Sequence, residues 1–499
     1  MTKSLVLCLF AWGCGAITDQ AAAPARVRVA HVSPGAPAVD FCLAVHGTTS
    51  FTGPVLAGAG RAAGLAYGTV TRYFDVDAAR YDVRLVAPGA ADCKTPLAGL
   101  DDFTRLPELA PGAAATIAAE GTLGGQADAA FTLRGYADDT AAMPARARLR
   151  LIHASPGTPP VDAGTGGGAL FAPVFSGVAF GEASAVDAAP LAGARLSARA
   201  HGAARDVLAI DGVDLPGGAI ATAFAIGQLG ATATPLRVLL CVDNAEPNGV
   251  HSACEVVGDA PHDAHLRIAH LSPDTPAVDV CLAPAGSQAF GQTPLLRGLG
   301  VTGLSYPQVT AYVDVPAARY DVRVVHASTG SCATAAIPDT TGLAVTADLT
   351  ATVAAIGDLE PAGAAAHDPA LRLAVFADTA AVAADKIELR FIHASPGTPA
   401  VDVGLGTGAG FQPLFTGVGF GDRGHLEAGP LPAATVTARV SGTTTDALSI
   451  AHVGLAAGSI TTAFAIGGKT GLATNPLRVL LCQDNRPGSG LLTSCTIAP

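Results

Sequence analysis

The stretch Arg26-Val27-Arg28-Val29-Ala30-His31-Val32-Ser33-Pro34-Gly35-Ala36-Pro37-Ala38-Val39-Asp40 decides how the rest of the chain is read. Its opening residues alternate polar and apolar, the period of a half-buried β-strand. Ser-Pro-x-x-Pro then ends the ladder, because proline donates no backbone hydrogen bond. Val39-Asp40-Phe41-Cys42-Leu43 restarts a strand. The phrase returns with His153, Ser155 and Asp162, with His270, Ser272 and Asp279, and with His393, Ser395 and Asp402. Successive histidines lie 122, 117 and 123 residues apart, which is the size of one compact domain and too long for a solenoid unit.

A longer period lies above this one. The first and third copies share Ala79-Arg80-Tyr81-Asp82-Val83-Arg84 and Ala318-Arg319-Tyr320-Asp321-Val322-Arg323, whereas the second and fourth share Pro235-Leu236-Arg237-Val238-Leu239-Leu240-Cys241 and Pro476-Leu477-Arg478-Val479-Leu480-Leu481-Cys482. A two-domain unit duplicated whole explains this A-B-A-B order. The domains are expected at residues 26–137 (A1), 146–258 (B1), 265–377 (A2) and 386–499 (B2). Linkers are expected near Ala137–Ala145, Gly258–Ala264 and Ala377–Asp385. No long stretch has helical periodicity. Short apolar runs, 59 Gly and 35 Pro point to an all-β chain of four tandem β-sandwiches.

The N-terminus reads as an export signal. Lys3 precedes the apolar run Leu5–Trp12, and Ala11-Trp12-Gly13-Cys14 resembles a lipoprotein cleavage box. Residues 1–13 are expected to be removed, leaving Cys14 lipidated ahead of a linker over 14–25. Ordinary cleavage with release is the alternative. No later segment carries the roughly 20 uninterrupted apolar residues of a membrane helix, so membrane contact is expected through a lipid anchor only. The formal net charge is −12 and no run of Lys or Arg occurs, which argues against nucleic acid as a partner. The only Trp is Trp12, leaving the body of the chain poorly stocked for stacking against sugars.

Of ten cysteines, eight follow Cys14. Cys42 and Cys93 are 51 residues apart, as are Cys281 and Cys332; Cys241 and Cys254 are 13 apart, as are Cys482 and Cys495. An even count at duplicated spacings behind an export signal predicts four intradomain disulfides. Zinc is the rival reading, but one isolated Cys pair per domain suits it poorly.

His31, Ser33 and Asp40 bring together the residue types of a serine hydrolase, and each copy repeats them. Four copies suit a folding requirement better than four active sites: Ser and Asp can bond turn amides while His satisfies a nearby backbone group. Asp243-Asn244 and Asp484-Asn485 lie in the disulfide-closed loops. They supply too few oxygens for calcium, and Asx-turn capping is expected of them. The glycine run Gly164 to Gly168 lacks a following Lys-Ser/Thr and helix, so a flexible turn is expected in place of a phosphate cradle.

The pattern Arg-x-Arg-x-x-His-x-Ser-Pro-x-x-Pro-x-Val-Asp, with the later Ala-Arg-Tyr-Asp-Val-Arg hairpin, resembles a bacterial family of extracytoplasmic domains known as domain of unknown function 4397. The resemblance spans nearly everything after residue 25. It implies an immunoglobulin-like or transthyretin-like sandwich on an exported protein, and it brings no activity, cofactor or catalytic residue. The B domains depart after the opening phrase, where the glycine run replaces the Cys-bearing strand.

The expectation from sequence is therefore a non-enzymatic, exported cell-envelope protein without a cofactor. It would sit on the outer membrane or cell surface, or else be periplasmic or secreted, and would bind a protein or matrix partner whose identity is open. An extracytoplasmic hydrolase using the His/Ser/Asp phrase is one alternative. A periplasmic binding or assembly scaffold is another.

Overall fold

A computed structural model describes residues 23–59, 63–126, 129–246, 251–259, 261–359, 369–468 and 475–498. Cys14 and the export signal lie outside the described residues. The chain is all-β, with two four-residue α-helices among the described residues, Val55–Gly58 and Leu295–Gly298. It divides into two compact units. One holds the chain up to Val161 with Phe175–Gly193 and Gly212–Asp259; the other holds Asp162–Val174, Ala194–Asp211 and everything after Asp259.

Each repeat begins with the strand that the phrase predicts: Ala25–His31, Ala147–His153, Ala264–His270 and Ile387–His393. In every case this strand is central. Ala25–His31 runs antiparallel to Thr69–Val70 and Phe74–Val76 on one side and parallel to Ala114–Glu120 on the other, and Thr132–Asp138 extends the sheet. Asp40–Val45 and Tyr81–Val86 form the second sheet of A1, and the Val29, Phe41, Leu65, Leu85 and Ile117 side chains line the apolar space between the sheets. In A2 the second sheet has three strands, Val278–Pro284, Ala318–His326 and Thr340–Val345.

The B repeats build their first sheet on the same parallel pair, Ala147–His153 with Ile220–Ile226 and Ile387–His393 with Ile460–Ile466. Their second sheet has four strands, which in B2 are Gln412–Val418, Val401–Leu405, Leu431–Val440 and Asp446–Leu455. The corresponding B1 sheet has Ala172–Val178, Val161–Thr165, Leu191–Ala200 and Asp206–Leu215.

The repeats do not pack singly. In the first unit the Ala25–His31 sheet of A1 lies face to face with the Ala147–His153 sheet of B1, and Ala30, Val32, Ala118, Ile152, Phe224 and Leu239 form one core between them. The second unit repeats the arrangement, with Ala269, Leu271, Ile356, Ile392, Phe464 and Leu480 between A2 and B2. The first sheet of each domain is therefore apolar on both faces. That pattern belongs to sheets covered on both sides, unlike the half-buried strand expected from the alternation of Arg26 to Val29.

All four disulfides form as the spacing predicts: Cys42–Cys93, Cys241–Cys254, Cys281–Cys332 and Cys482–Cys495. In the B domains the paired cysteines stand directly opposite on neighbouring strands. The loop they close reaches the A domain. The Ser252 amide donates to the Val70 carbonyl at 2.9 Å and its hydroxyl to the Thr71 carbonyl at 2.8 Å, and in the second unit the Thr493 hydroxyl donates to the Thr310 carbonyl at 2.6 Å.

Candidate functional site

The repeated phrase places its polar groups against backbone. The His31 side chain is fully buried, and Nε2–H donates to the Pro37 carbonyl at 2.9 Å. His153, His270 and His393 make the same bond to Pro159, Pro276 and Pro399, each at 3.1 Å. Burial holds all four imidazoles below the ordinary histidine pKa, so they are neutral donors near neutral pH.

The Ser33 hydroxyl donates to the Gly121 carbonyl at 2.5 Å, and the Ser155 hydroxyl to the Gly227 carbonyl at 2.7 Å. Ser395 bonds the Gly467 carbonyl in the same way, and Ser272 pairs with Thr275 at 2.5 Å. The aspartates divide by domain type. Asp40 accepts from the Leu56 and Ala57 amides at 2.9 and 2.8 Å, and Asp279 from the Leu296 and Arg297 amides at 2.9 and 3.0 Å, so each caps the short helix of its A domain. Asp162 instead pairs with His201 Nδ1 at 2.8 Å, and Asp402 accepts from the Gly417 amide at 2.7 Å. Among the described residues no hydrogen bond joins the serine hydroxyl of a phrase to its histidine ring, or that histidine to its aspartate. The constellation needed for nucleophilic attack is not assembled.

The cluster that the structure does assemble lies between the paired sheets. Arg28, whose side chain is 0% exposed, projects from the opening strand of A1 toward B1. It donates from Nη1 to Asp243 Oδ1 at 2.6 Å, from Nη2 to Asp243 Oδ2 at 3.0 Å and from Nε to Thr116 Oγ1 at 2.8 Å. Arg150 occupies the same place in B1 and reaches the other way, to Asp138 of A1, with Thr222 at 3.0 Å. Thr116 donates to Asp138 at 2.7 Å, Thr222 to Asp243 at 2.5 Å and the Tyr73 hydroxyl to Asp138 at 2.6 Å.

The register explains the exchange. Arg28 stands beside Thr116 and Arg150 beside Thr222 on the parallel neighbouring strands. Two arginines and two aspartates therefore form a closed, neutral group with each guanidinium on the partner domain's carboxylate. Burial opposes the Arg28 charge, but the Asp243 charge and hydrogen bond outweigh it and hold the pKa above the usual arginine value.

The second unit carries the same group. Arg267 and Arg390 both bond Asp484, Arg390 also pairs with Asp378, and Arg267 donates to Thr352 at 2.7 Å and Thr462 at 3.0 Å. The Tyr312 hydroxyl donates to Asp378 at 2.7 Å. Burial pushes the Asp378 carboxyl up even against its two arginines.

The Asx-turn role expected of Asp243 and Asp484 is thus corrected, since both carboxylates belong to this buried group. Asn244 and Asn485 act locally, donating to the Gly218 and Gly458 carbonyls at 2.9 and 2.8 Å. Sequence reasoning missed the arginine group although its signal was in the phrase: Arg28, Arg150, Arg267 and Arg390 each stand three residues before the repeated histidine. The glycine run also differs from the expected flexible turn. Gly164 lies within the strand Val161–Thr165, and Gly168–Leu170 form an ordered 3-10 turn. No group of three or more His, Cys, Asp or Glu suited to a metal occurs among the described residues.

A family model described as "Domain of unknown function (DUF4397)" matches residues 25–164, 147–257 and 264–404. These matches begin at or next to the first residue of three opening strands. No curated protein matches the chain. Among solved structures it is similar to the Bacillus anthracis TIE protein, with 8% sequence identity and a TM-score of 0.13 over 66% of this chain and 50% of that one. The chain therefore spans half the length of that protein.

Proposed function

The chain belongs to the family defined by domain of unknown function DUF4397, and from that premise we propose that it is a non-enzymatic, exported envelope protein. Its sandwiches are displayed from a lipid on Cys14 and bind a protein or matrix partner. The observation that carries this reading is the use made of the phrase: all four of its histidines and serines are buried, and their side chains bond backbone or a neighbouring threonine. A residue set spent on holding turns is a scaffold's set. The four disulfides fit an oxidising, extracytoplasmic compartment. No helix among the described residues is long and apolar enough to cross a membrane.

Two measurements on the full chain test the proposal. Protease treatment of intact cells is expected to remove the protein, whereas a periplasmic scaffold would survive until the outer membrane is opened. A serine-directed covalent probe is expected to leave the chain unlabelled. Labelling that disappears in Ser33→Ala, Ser155→Ala, Ser272→Ala or Ser395→Ala would favour the hydrolase instead.

A further inference from the structure

The 3-10 turn of B1 is a wedge. Its backbone is pinned from within B1: Asp206 accepts from the Gly168 amide at 2.7 Å, Arg199 donates to the Gly168 carbonyl at 3.2 Å, and the Arg199 guanidinium lies 3.7 Å from the Phe171 ring centre. The outer side of the turn is driven into A2. Ala169 and Leu170 pack against the A2 core clusters that hold Val315 and Tyr320 and that hold Leu295 and Leu296, and a Cβ added to Gly168 would stand 2.1 Å from the Asp314 carbonyl oxygen. Arg195 bonds Asp263 at 2.6 Å and Arg205 pairs with Asp314 at 3.5 Å beside it. With the wedge in place the A2 core keeps a void of only about 30 Å³.

Both halves of this joint exist a second time, and among the described residues neither copy is engaged within its own unit. B2 builds the same turn: Asp446 accepts from the Gly408 amide at 2.9 Å, Arg439 donates to the Gly408 carbonyl, and its guanidinium lies 4.0 Å from the Phe411 ring centre. Here, however, Thr407 to Gly410 are exposed, and a Cβ on Gly408 or Gly410 would meet nothing within 4 Å. A1 supplies the receptor. Leu43, Asp75, Val76 and Tyr81, the counterparts of Leu282, Asp314, Val315 and Tyr320, line a surface groove of about 610 Å³ that continues into an apolar cavity of about 310 Å³. Val45 on its rim is 52% exposed.

We infer that the A1 groove takes the Gly408-Ala409-Gly410 turn of a second copy of this chain, so that copies join B2 to A1 in the way B1 joins A2. The joint is heterologous, because the two surfaces differ, and it therefore propagates into an open string of copies. It is weaker than the internal joint. Gly410 stands where B1 has Leu170, Thr445 replaces Arg205, and the Arg195–Asp263 pair becomes Thr435 and Pro24.

The test is sedimentation of the full chain. The weight-average mass is expected to rise with concentration between about 10 μM and about 1 mM. Gly410→Leu, which restores the wedge, is expected to tighten association at least about tenfold. Ala409→Asp on the turn and Val45→Asp on the rim are both exposed changes, and each is expected to leave a folded monomer. Mixing those two variants is expected to restore association but to stop it at dimers, since only one intact turn and one intact groove remain. Monomers at every concentration, in wild type and Gly410→Leu alike, would overturn the inference. So would a mixture of the two charge variants that stays monomeric.

Discussion

Arg28 shows how one side chain can set the character of a domain. A guanidinium taken wholly out of water is tolerable only when paired and fully hydrogen-bonded, because desolvation of each ion costs several kcal/mol. Asp243, Thr116 and Thr222 meet that requirement. Asp243→Asn leaves a buried positive charge short of its partner and is expected to destabilise the chain by about 3–5 kcal/mol in denaturant unfolding. The double change Arg28→Met with Asp243→Leu is expected to cost less than Asp243→Asn alone, because it removes both charges. His31 supports a second prediction at this scale. Burial lowers its folded pKa, so below about pH 6.5 the unfolded chain binds more protons than the native one. Its contribution is complete above that pH and is lost as pH falls. Glu120, pushed up to about 7 by burial, works in the opposite sense, being more stabilising in acid. His31→Gln keeps a donor for the Pro37 carbonyl but cannot titrate. Wild type is therefore expected to lose stability relative to this variant between pH 7 and pH 5, measured as the difference of their unfolding free energies.

At the scale of elements, the opening strand is tied to its parallel neighbour beyond their shared ladder. Ser33 donates to the Gly121 carbonyl, just past the end of Ala114–Glu120. Gly121 holds φ at +74°, and a Cβ there would stand 2.2 Å from the Ala130 carbonyl oxygen. Gly35 has a similar φ of +78° but open space around it. Gly121→Ala is expected to cost more than Gly35→Ala, which carries only the left-handed backbone penalty of about 1–2 kcal/mol. Chemical denaturation of both variants checks the order. The strand alternation itself was legible in Arg26 to Val29. That both faces are covered was not, because alternation gives the two faces of a strand without saying what packs on either one.

Across the whole molecule, repeats share apolar cores in pairs. The A2 sheet presents Ala269, Leu271 and Ile356 to B2, with Arg267 among them and its partner Asp484 on the other domain. Residues 265–499 are expected to unfold in one calorimetric transition. Residues 265–377 alone expose that apolar face and an unpaired arginine, and are expected to lack a cooperative transition and to bind a hydrophobic dye. Separate transitions for A2 and B2 within 265–499 would contradict the shared core.

By itself the order of residues determined the all-β class, the four repeats, their A-B-A-B phase and every disulfide partner. These follow from local signals, namely strand period, proline breaks and duplicated cysteine spacing, which need no knowledge of distant contacts. The purpose of the phrase was partly legible too, since four identical His/Ser/Asp sets argue for holding turns. Only the tertiary structure decided that Arg28 and Arg150 exchange carboxylates, that Asp243 is an ion-pair partner and not a turn cap, and that Gly168 to Leu170 wedge into A2. Each of these depends on groups in different repeats, such as Arg28 and Asp243, 215 residues apart. Burial of a charge or exposure of a glycine turn is settled by what packs on it, and a one-dimensional pattern carries no record of that neighbour.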